Sequence, residues 1–331
     1  MKKQRLFAII IIDKERDKMI NNIIFIIIGF LLLIKGADLF VDGISSTADN
    51  LRIPKIIISL TIVAFGTSAP ELAISIQGMI NGSGSIVLAN VIGSTIVNTM
   101  LIIGVAALIK PIKVKNETVK KQLPLHLITI IVFAILFLIQ NGISRIDGIL
   151  LIGTFIGFVI YILKFIKKHN SIFEKREKPR WNITKSVIYA LIGLIGIFIG
   201  SDLAVDNCSD LAYKIGISEK LITMIVLVIG TSAPELALAV SSAKKKEFDI
   251  ILGNIIGTNI FNIGFVLGLP IAIFGNVSSI DFGLIDMVLM VLSGVIVYTF
   301  AKDDRLITKR EGIIMLAVFI EYYLYVIITG I

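Results

Sequence analysis

The eight residues Gly-Thr-Ser-Ala-Pro-Glu-Leu-Ala occur twice in this chain, at Gly66–Ala73 and Gly230–Ala237. Each copy sets one carboxylate, Glu71 or Glu235, about one helical turn from two hydroxyls, Thr67 and Ser68 or Thr231 and Ser232. The proline governs the backbone. Pro70 lacks an N–H and clashes with the preceding turn, so a helix through this stretch breaks just before it. Gly66 adds freedom, and Thr67 or Ser68 is expected to cap the new half-helix. A break of this kind frees carbonyls, and a cation is one way to satisfy them. Farther along, Asn90, Ser94 and Asn98 recur at a spacing of four, as do Asn254, Thr258 and Asn262, so each trio shares a helical face. Two acids, hydroxyls, amide oxygens and carbonyls, without sulfur or imidazole, form a hard donor set that suits calcium or sodium rather than zinc or copper. Two glutamates carry the charge to balance one divalent ion. Small polar residues at such spacing also hold membrane helices together, a role open to Asn90 and Asn254.

Composition says what must position these groups. The 331 residues are 56% hydrophobic and 17% charged, with mean hydropathy +0.94. Soluble domains are about 45–50% apolar and about 25% charged, so the balance is that of a membrane protein. Ten apolar spans are expected, at 22–41, 53–80, 83–109, 124–140, 146–166, 185–203, 218–242, 248–274, 282–300 and 311–330. The fold class is therefore an all-α integral membrane protein. The net charge of +8 resides in lysines and arginines between the spans, where it sets topology rather than recruiting nucleic acid. One cysteine, Cys208, excludes an internal disulfide and a CxxC metal site, and His126 and His169 cannot make a histidine-rich centre. The apolar run Leu6–Ile12 is too short to span and has no cleavage signal, so 1–21 reads as an N-terminal extension, with Met19 an alternative start.

The two octapeptides are separated by 164 residues, and the same offset pairs many other positions. It matches Gly36, Asp38 and Asp42 with Gly200, Asp202 and Asp206. It also matches Asn90, Gly93, Ser94, Asn98 and Gly104 with Asn254, Gly257, Thr258, Asn262 and Gly268, and Asp147-Gly148 with Glu311-Gly312. The chain divides into a first repeat (22–166), a connector (167–184) and a second repeat (185–331). Five spans per repeat is an odd number, so the second repeat is expected to enter the membrane from the opposite side. Inverted repeats of this kind belong to secondary transporters, with the site near the midplane.

At these residues the sequence resembles the calcium/cation antiporter superfamily, in particular the prokaryotic sodium/calcium exchangers. Their paired pattern GTSAPE…GNxxGSxxxN stands here as GTSAPE…ANVIGSTIVN and GTSAPE…GNIIGTNIFN. The resemblance implies ten helices, with ions held by the second, third, seventh and eighth. It implies Glu71 and Glu235 as central acidic ligands, with side-chain oxygens from Thr67, Ser68, Ser94, Thr231, Ser232 and Thr258. Asn98 and Asn262 take the amide positions, and Ala64 and Val228 offer backbone carbonyls. Some relatives carry Asp where Asn262 stands, which weakens a potassium-dependent reading.

The expected function is secondary active antiport, calcium exchanged for sodium by alternating access at an oxygen-lined midplane site. The alternatives are a proton/calcium antiporter of the same superfamily and, with less support, a passive cation channel. No nucleophile–base pair speaks for an enzyme. No cofactor is expected, only the carried Ca2+ and Na+ (or H+), and no nucleic acid or obligatory protein partner. The lipid bilayer expected around it is a prokaryotic plasma membrane. Asp38, Asp42, Asp202 and Asp206 suit either entrance or capping roles, and Glu321, without a symmetric counterpart, suits packing or an entrance rather than the ion site. Loops on the connector's side hold most of the basic residues, which puts both termini outside the cell. A reporter fused to the C-terminus should therefore score as extracytoplasmic; a cytoplasmic signal would refute this orientation.

Overall fold

Apolar runs become helices here because in lipid every backbone N–H and C=O must be bonded within its own segment. The computed structural model describes residues 2–169, 178–214, 230–278 and 283–329. Its helices are α1 (Lys2–Leu51), α2 (Lys55–Thr67), α3 (Ala69–Ile80), α4 (Gly84–Ile109), α5 (Thr118–Gln140) and α6 (Arg145–His169). They continue with α7 (Ile183–Lys214), α8 (Ala233–Lys245), α9 (Phe248–Phe274), α10 (Leu284–Lys302) and α11 (Lys309–Thr329). Among the described residues eight helices are long and apolar enough to cross a membrane, or nine if the bent pair α2–α3 is one span. The expected seventh span, 218–242, begins outside the described residues, which take it up again at Gly230. Residues 2–21 run into the first span without a break.

The outer surface is apolar: Ile139 is 73% and Ile328 81% exposed, side chains suited to lipid rather than water. At the centre lie α4 and α9, whose apolar windows are 78% and 94% buried, against 28–39% for the other complete spans. The helices that must hold the polar trios are thus the two most shielded from lipid.

Close crossings fix how the others pack around them. A Cβ on Gly104 of α4 would meet the Gly312 carbonyl oxygen of α11 at 3.1 Å, and one on Gly312 would meet that of Gly104 at 2.9 Å. On α9 and α6, Gly268 and Gly148 face one another likewise, each 2.9 Å from the other's carbonyl oxygen. The 164-residue offset turns the first pair into the second. Gly29 against Gly200 and Gly36 against Gly193, where α1 crosses α7, are exchanged by the same offset.

Beyond the helices, two short antiparallel pairings join distant parts of the chain: β1 (Ile112–Lys113) with β4 (Leu306–Ile307), and β2 (Gly142–Ile143) with β3 (Val277–Ser278). The aligned acids Asp147 and Glu311 serve as caps. Asp147 accepts from the Ser144 N–H (2.9 Å), and Glu311 from the Thr308 N–H (2.6 Å), so α6 and α11 begin with equivalent capping boxes.

Replacing Gly312 by Leu is expected to cost about 1–3 kcal/mol through overpacking at the α4–α11 crossing. Gly153→Ala should not, because nothing lies within 4 Å of the added Cβ. Thermal unfolding of the two variants in detergent checks the contrast.

Candidate cation site

The break falls where the proline dictates. Helices α2 and α3 meet at a 45° bend on Ser68, whose backbone leaves the helical region (φ −86°, ψ 9°). Ser232 before α8 adopts nearly the same conformation (φ −86°, ψ 3°). Both prolines stand in the first turn of the new half-helix, where a missing N–H costs nothing.

The capping expectation is corrected. Neither serine hydroxyl caps the helix that follows it. The backbone bridges the break instead: the Ser68 N–H donates to Ala64 O (3.1 Å), the Leu72 N–H to Ser68 O (3.1 Å), and the Leu236 N–H to Ser232 O (3.0 Å). The hydroxyls of Ser68 and Ser232 therefore remain buried and unbonded. Ala64 keeps its helical bond, and its carbonyl also lies 3.4 Å from Thr67 Oγ1, so it reaches an ion only where that hydroxyl turns to Asn254 instead. Val228 lies outside the described residues.

Glu71 and Glu235 are both completely buried. Among the described residues none of their four carboxylate oxygens has a hydrogen-bond partner of good geometry, while the Thr67 side chain acts on Glu235 and the two acids act on one another electrostatically. The oxygens of Asn98 (Oδ1), Asn262 (Oδ1) and Thr258 (Oγ1) are buried without partners as well. Thr231 is buried. Ser94 accepts from Asn262 Nδ2 at 3.2 Å, which joins the central helices α4 and α9 at the trios themselves. Among the described residues no three His, Cys, Asp or Glu side chains gather, so two carboxylates are the whole anionic complement of this set.

Asn90 and Asn254 act as ties. Asn90 Nδ2 donates to the backbone carbonyl of Glu71 (3.0 Å) and to Ser75 Oγ (3.2 Å), pinning α3 at its acid. Asn254 Oδ1 accepts from Thr67 Oγ1 (3.3 Å), which links α9 to the end of α2. The sequence pattern assumed regular helices through the trios, but α4 and α9 turn to π-helix over Val97–Ile102 and Asn262–Leu267. Asn98 and Asn262 thus sit in widened turns, a feature common at functional sites.

Two buried residues escaped the sequence reading. Asn98 Nδ2 donates to Asn259 Oδ1 (2.9 Å), and Asn259 Nδ2 lies 3.0 Å from His126 Nε2. The signal was present, a histidine and an extra asparagine within apolar spans. The 164-residue offset hid them, since it pairs Asn259 with Thr95 and His126 with Met290.

The flanking acids separate by role. Asp38 accepts from Ser241 Oγ (2.6 Å), while Asp42 pairs with Arg180 and with Lys245 of α8, each at 2.7 Å. They anchor α1 to α8 and to the segment before α7. Asp202 is exposed and enters no ion pair among the described residues. Glu321 is exposed on α11 and takes no part in core packing.

Comparison with known proteins matches this architecture. The family described as "Sodium/calcium exchanger protein" matches twice, over residues 21–164 and 185–328, two segments displaced by the same 164 residues. CaxA of Alkalimonas amylolytica is 36% identical over 309 residues, covering 90% of this chain and 96% of its own length. The sodium/calcium exchanger MaX1 of Methanosarcina acetivorans is 28% identical over 344 residues, 91% of this chain and 97% of its own. A solved structure of the sodium-calcium exchanger NCX_Mj, soaked with 10 mM Na+ and zero Ca2+, superposes with a TM-score of 0.81 at 31% identity. It spans 92% of this chain and 99% of that one. The relatives are membrane transporters rather than enzymes. A doubled family match across nearly the whole chain, on a helical frame shared with NCX_Mj, makes this chain a member of the sodium/calcium exchanger protein family.

Proposed function

We propose that this chain is a secondary antiporter exchanging calcium for sodium at a midplane site shared by two halves of inverted topology. One observation carries the reading. Glu71 and Glu235, one from each half, are fully buried, and among the described residues their four oxygens have no hydrogen-bond partner of good geometry. Isolated buried carboxylates are costly, so such groups are held for a cation or a proton. The unpartnered oxygens of Ser68, Ser232, Asn98, Thr258 and Asn262 complete a set large enough for calcium, which takes 6–8 oxygen ligands in flexible geometry. Thr67, Ser94 and Thr231 and the carbonyls of Ala64 and Val228 belong to the same proposed set.

Alternating access follows from how the site is assembled. Each half supplies one acid on a half-helix that begins at its proline and one amide on a π-turn, and the halves meet through Thr67–Asn254, Ser94–Asn262 and Asn98–Asn259. A shift of one half against the other changes which side reaches the carboxylates. The reciprocal glycine crossings and strand pairings fit two copies exchanged by a two-fold axis, which supports ten helices in inverted repeats; the placing of both termini on the outer face of a plasma membrane rests on the charge bias of the loops.

Sodium as the exchanged ion is supported by the names of MaX1 and NCX_Mj, the second described in terms of extracellular ion exchange and binding-site occlusion. The proton reading rests on the carboxylates alone and draws no support from these relatives. With both acids ionised, one calcium leaves the site near neutral and three sodium ions leave it about +1, so exchange is electrogenic.

In proteoliposomes, an outward sodium gradient should drive calcium uptake that responds to membrane potential, while a proton gradient alone should not. Glu71→Gln and Glu235→Gln should each abolish that uptake in protein that still folds. Uptake driven by protons would replace sodium in the cycle, and full activity of either Gln variant would remove the carboxylates from the site.

A further inference from the structure

One buried polar chain has no place in the ion cycle so far described. It runs from Asn98 on α4 through Asn259 on α9 to His126 on α5, and all three side chains are buried. Its direction matters because an amide carries a donor at one end and an acceptor at the other. Asn259 presents its NH2 to His126 Nε2, so that nitrogen is the acceptor and the neutral ring carries its proton on Nδ1, which is buried and has no hydrogen-bond partner among the described residues. The Asn259 oxygen is then turned to Asn98 and engages the Asn98 NH2. What remains of Asn98 is its oxygen, buried and without a partner, like the carboxylate oxygens of Glu71 and Glu235. Run in the opposite sense, the same three residues would leave Asn98 offering an NH2, whose positive end repels a cation.

We infer that His126 and Asn259 are positioning residues that hold the Asn98 amide with its oxygen, not its nitrogen, available to the transported ion. The inference rests on the reading of Asn98 as an ion ligand. Neither residue touches the ion: His126 acts through Asn259, and Asn259 through Asn98. The arrangement is unsymmetrical. In the other repeat Asn262 is oriented by a single hydroxyl, Ser94 Oγ, and the positions equivalent to Asn259 and His126 are Thr95 and Met290. Thr95 Oγ1 bonds within its own helix, to Val91 O at 2.8 Å. The two amide ligands are therefore held by different means, one through a relay into α5 and one directly across the α4–α9 contact.

The chain could instead simply bind three helices together, and the test separates the two roles. In the full-length protein in proteoliposomes, sodium-driven calcium uptake is measured against calcium concentration. Loss of an outer-shell partner typically lowers metal affinity about 10–100-fold. Because Asn98 is one neutral ligand among several, His126→Leu and Asn259→Leu should raise the half-saturating calcium about tenfold, with a smaller effect on maximal rate. His126→Gln, whose Oε1 can accept from Asn259 Nδ2, should restore most of the loss. In an Asn98→Asp background, where the two carboxylate oxygens are equivalent and no orientation remains to be set, adding His126→Leu should change the half-saturating calcium less than twofold (about, on the scale of additivity errors). A shift of equal size in that background, or no rescue by Gln, would reduce the chain to packing. Asn259→Leu makes the same comparison if His126→Leu does not fold. Absence of calcium uptake by the unaltered chain overturns the parent reading, and the inference with it, before any variant is compared.

Discussion

Two carboxylates buried in one protein interior, their oxygens without a hydrogen-bond partner of good geometry among the described residues, are the condition around which the rest of this structure is arranged. Charges withdrawn from water without a partner are expensive, and like charges near one another make the cost greater. Among the described residues no lysine or arginine pairs with either acid to relieve that cost. The surroundings supply further oxygens instead, which is useful only if the missing positive charge arrives from outside. Several local irregularities fall beside these acids: a half-helix begins at the proline before each of them, the serine hydroxyls are left out of capping, and π-turns widen the facing helices at Asn98 and Asn262.

The same economy explains why the irregularities lie deep in the bundle. Unbonded polar atoms facing lipid would be prohibitive, so they sit beside α4 and α9, the helices least exposed to the surroundings. Large aliphatic side chains on the outer helices face outwards and take no part in the site. Close backbone crossings at glycines bring α6 and α11 against this centre, with Phe155 of α6 packed on Phe261 and Phe265 of α9. The candidate site therefore draws on both halves: the polar ties to α9, from Thr67 of α2 and from Ser94 and Asn98 of α4, each join a residue of one repeat to a residue of the other.

Much of this was legible in the residues. The proline placed the break to within a residue, the shared offset identified Asp147 and Glu311 as equivalents before their capping role was visible, and the trios named the facing oxygens. The failures have physical causes. Two-residue strands are too short to leave a pattern, and a π-turn adds one residue to a helical turn without any fixed residue signature. Asn259 and His126 were passed over because attention followed symmetry, and these two are where the symmetry lapses. The serine caps were misjudged because the backbone closes across the bend by itself. Asp38 and Asp42 suited entrance or capping roles in sequence, and their tying role was hidden because their partners Ser241, Lys245 and Arg180 lie more than a hundred residues away.

The strand pairings and glycine crossings also bear on how the chain assembles. When α4 and β1 emerge during synthesis, the backbone that Gly104 will pack against is still missing, and so is the strand that Ile112 will bond to. Both partners lie some two hundred residues downstream, in α11 and β4. Contacts of such long range close slowly, because the loop entropy must be met before they give anything back. The first repeat therefore waits, incompletely packed, for the second. Folding repeat by repeat, as separate domains do, is closed to this molecule, and its consolidation belongs to the insertion of α11.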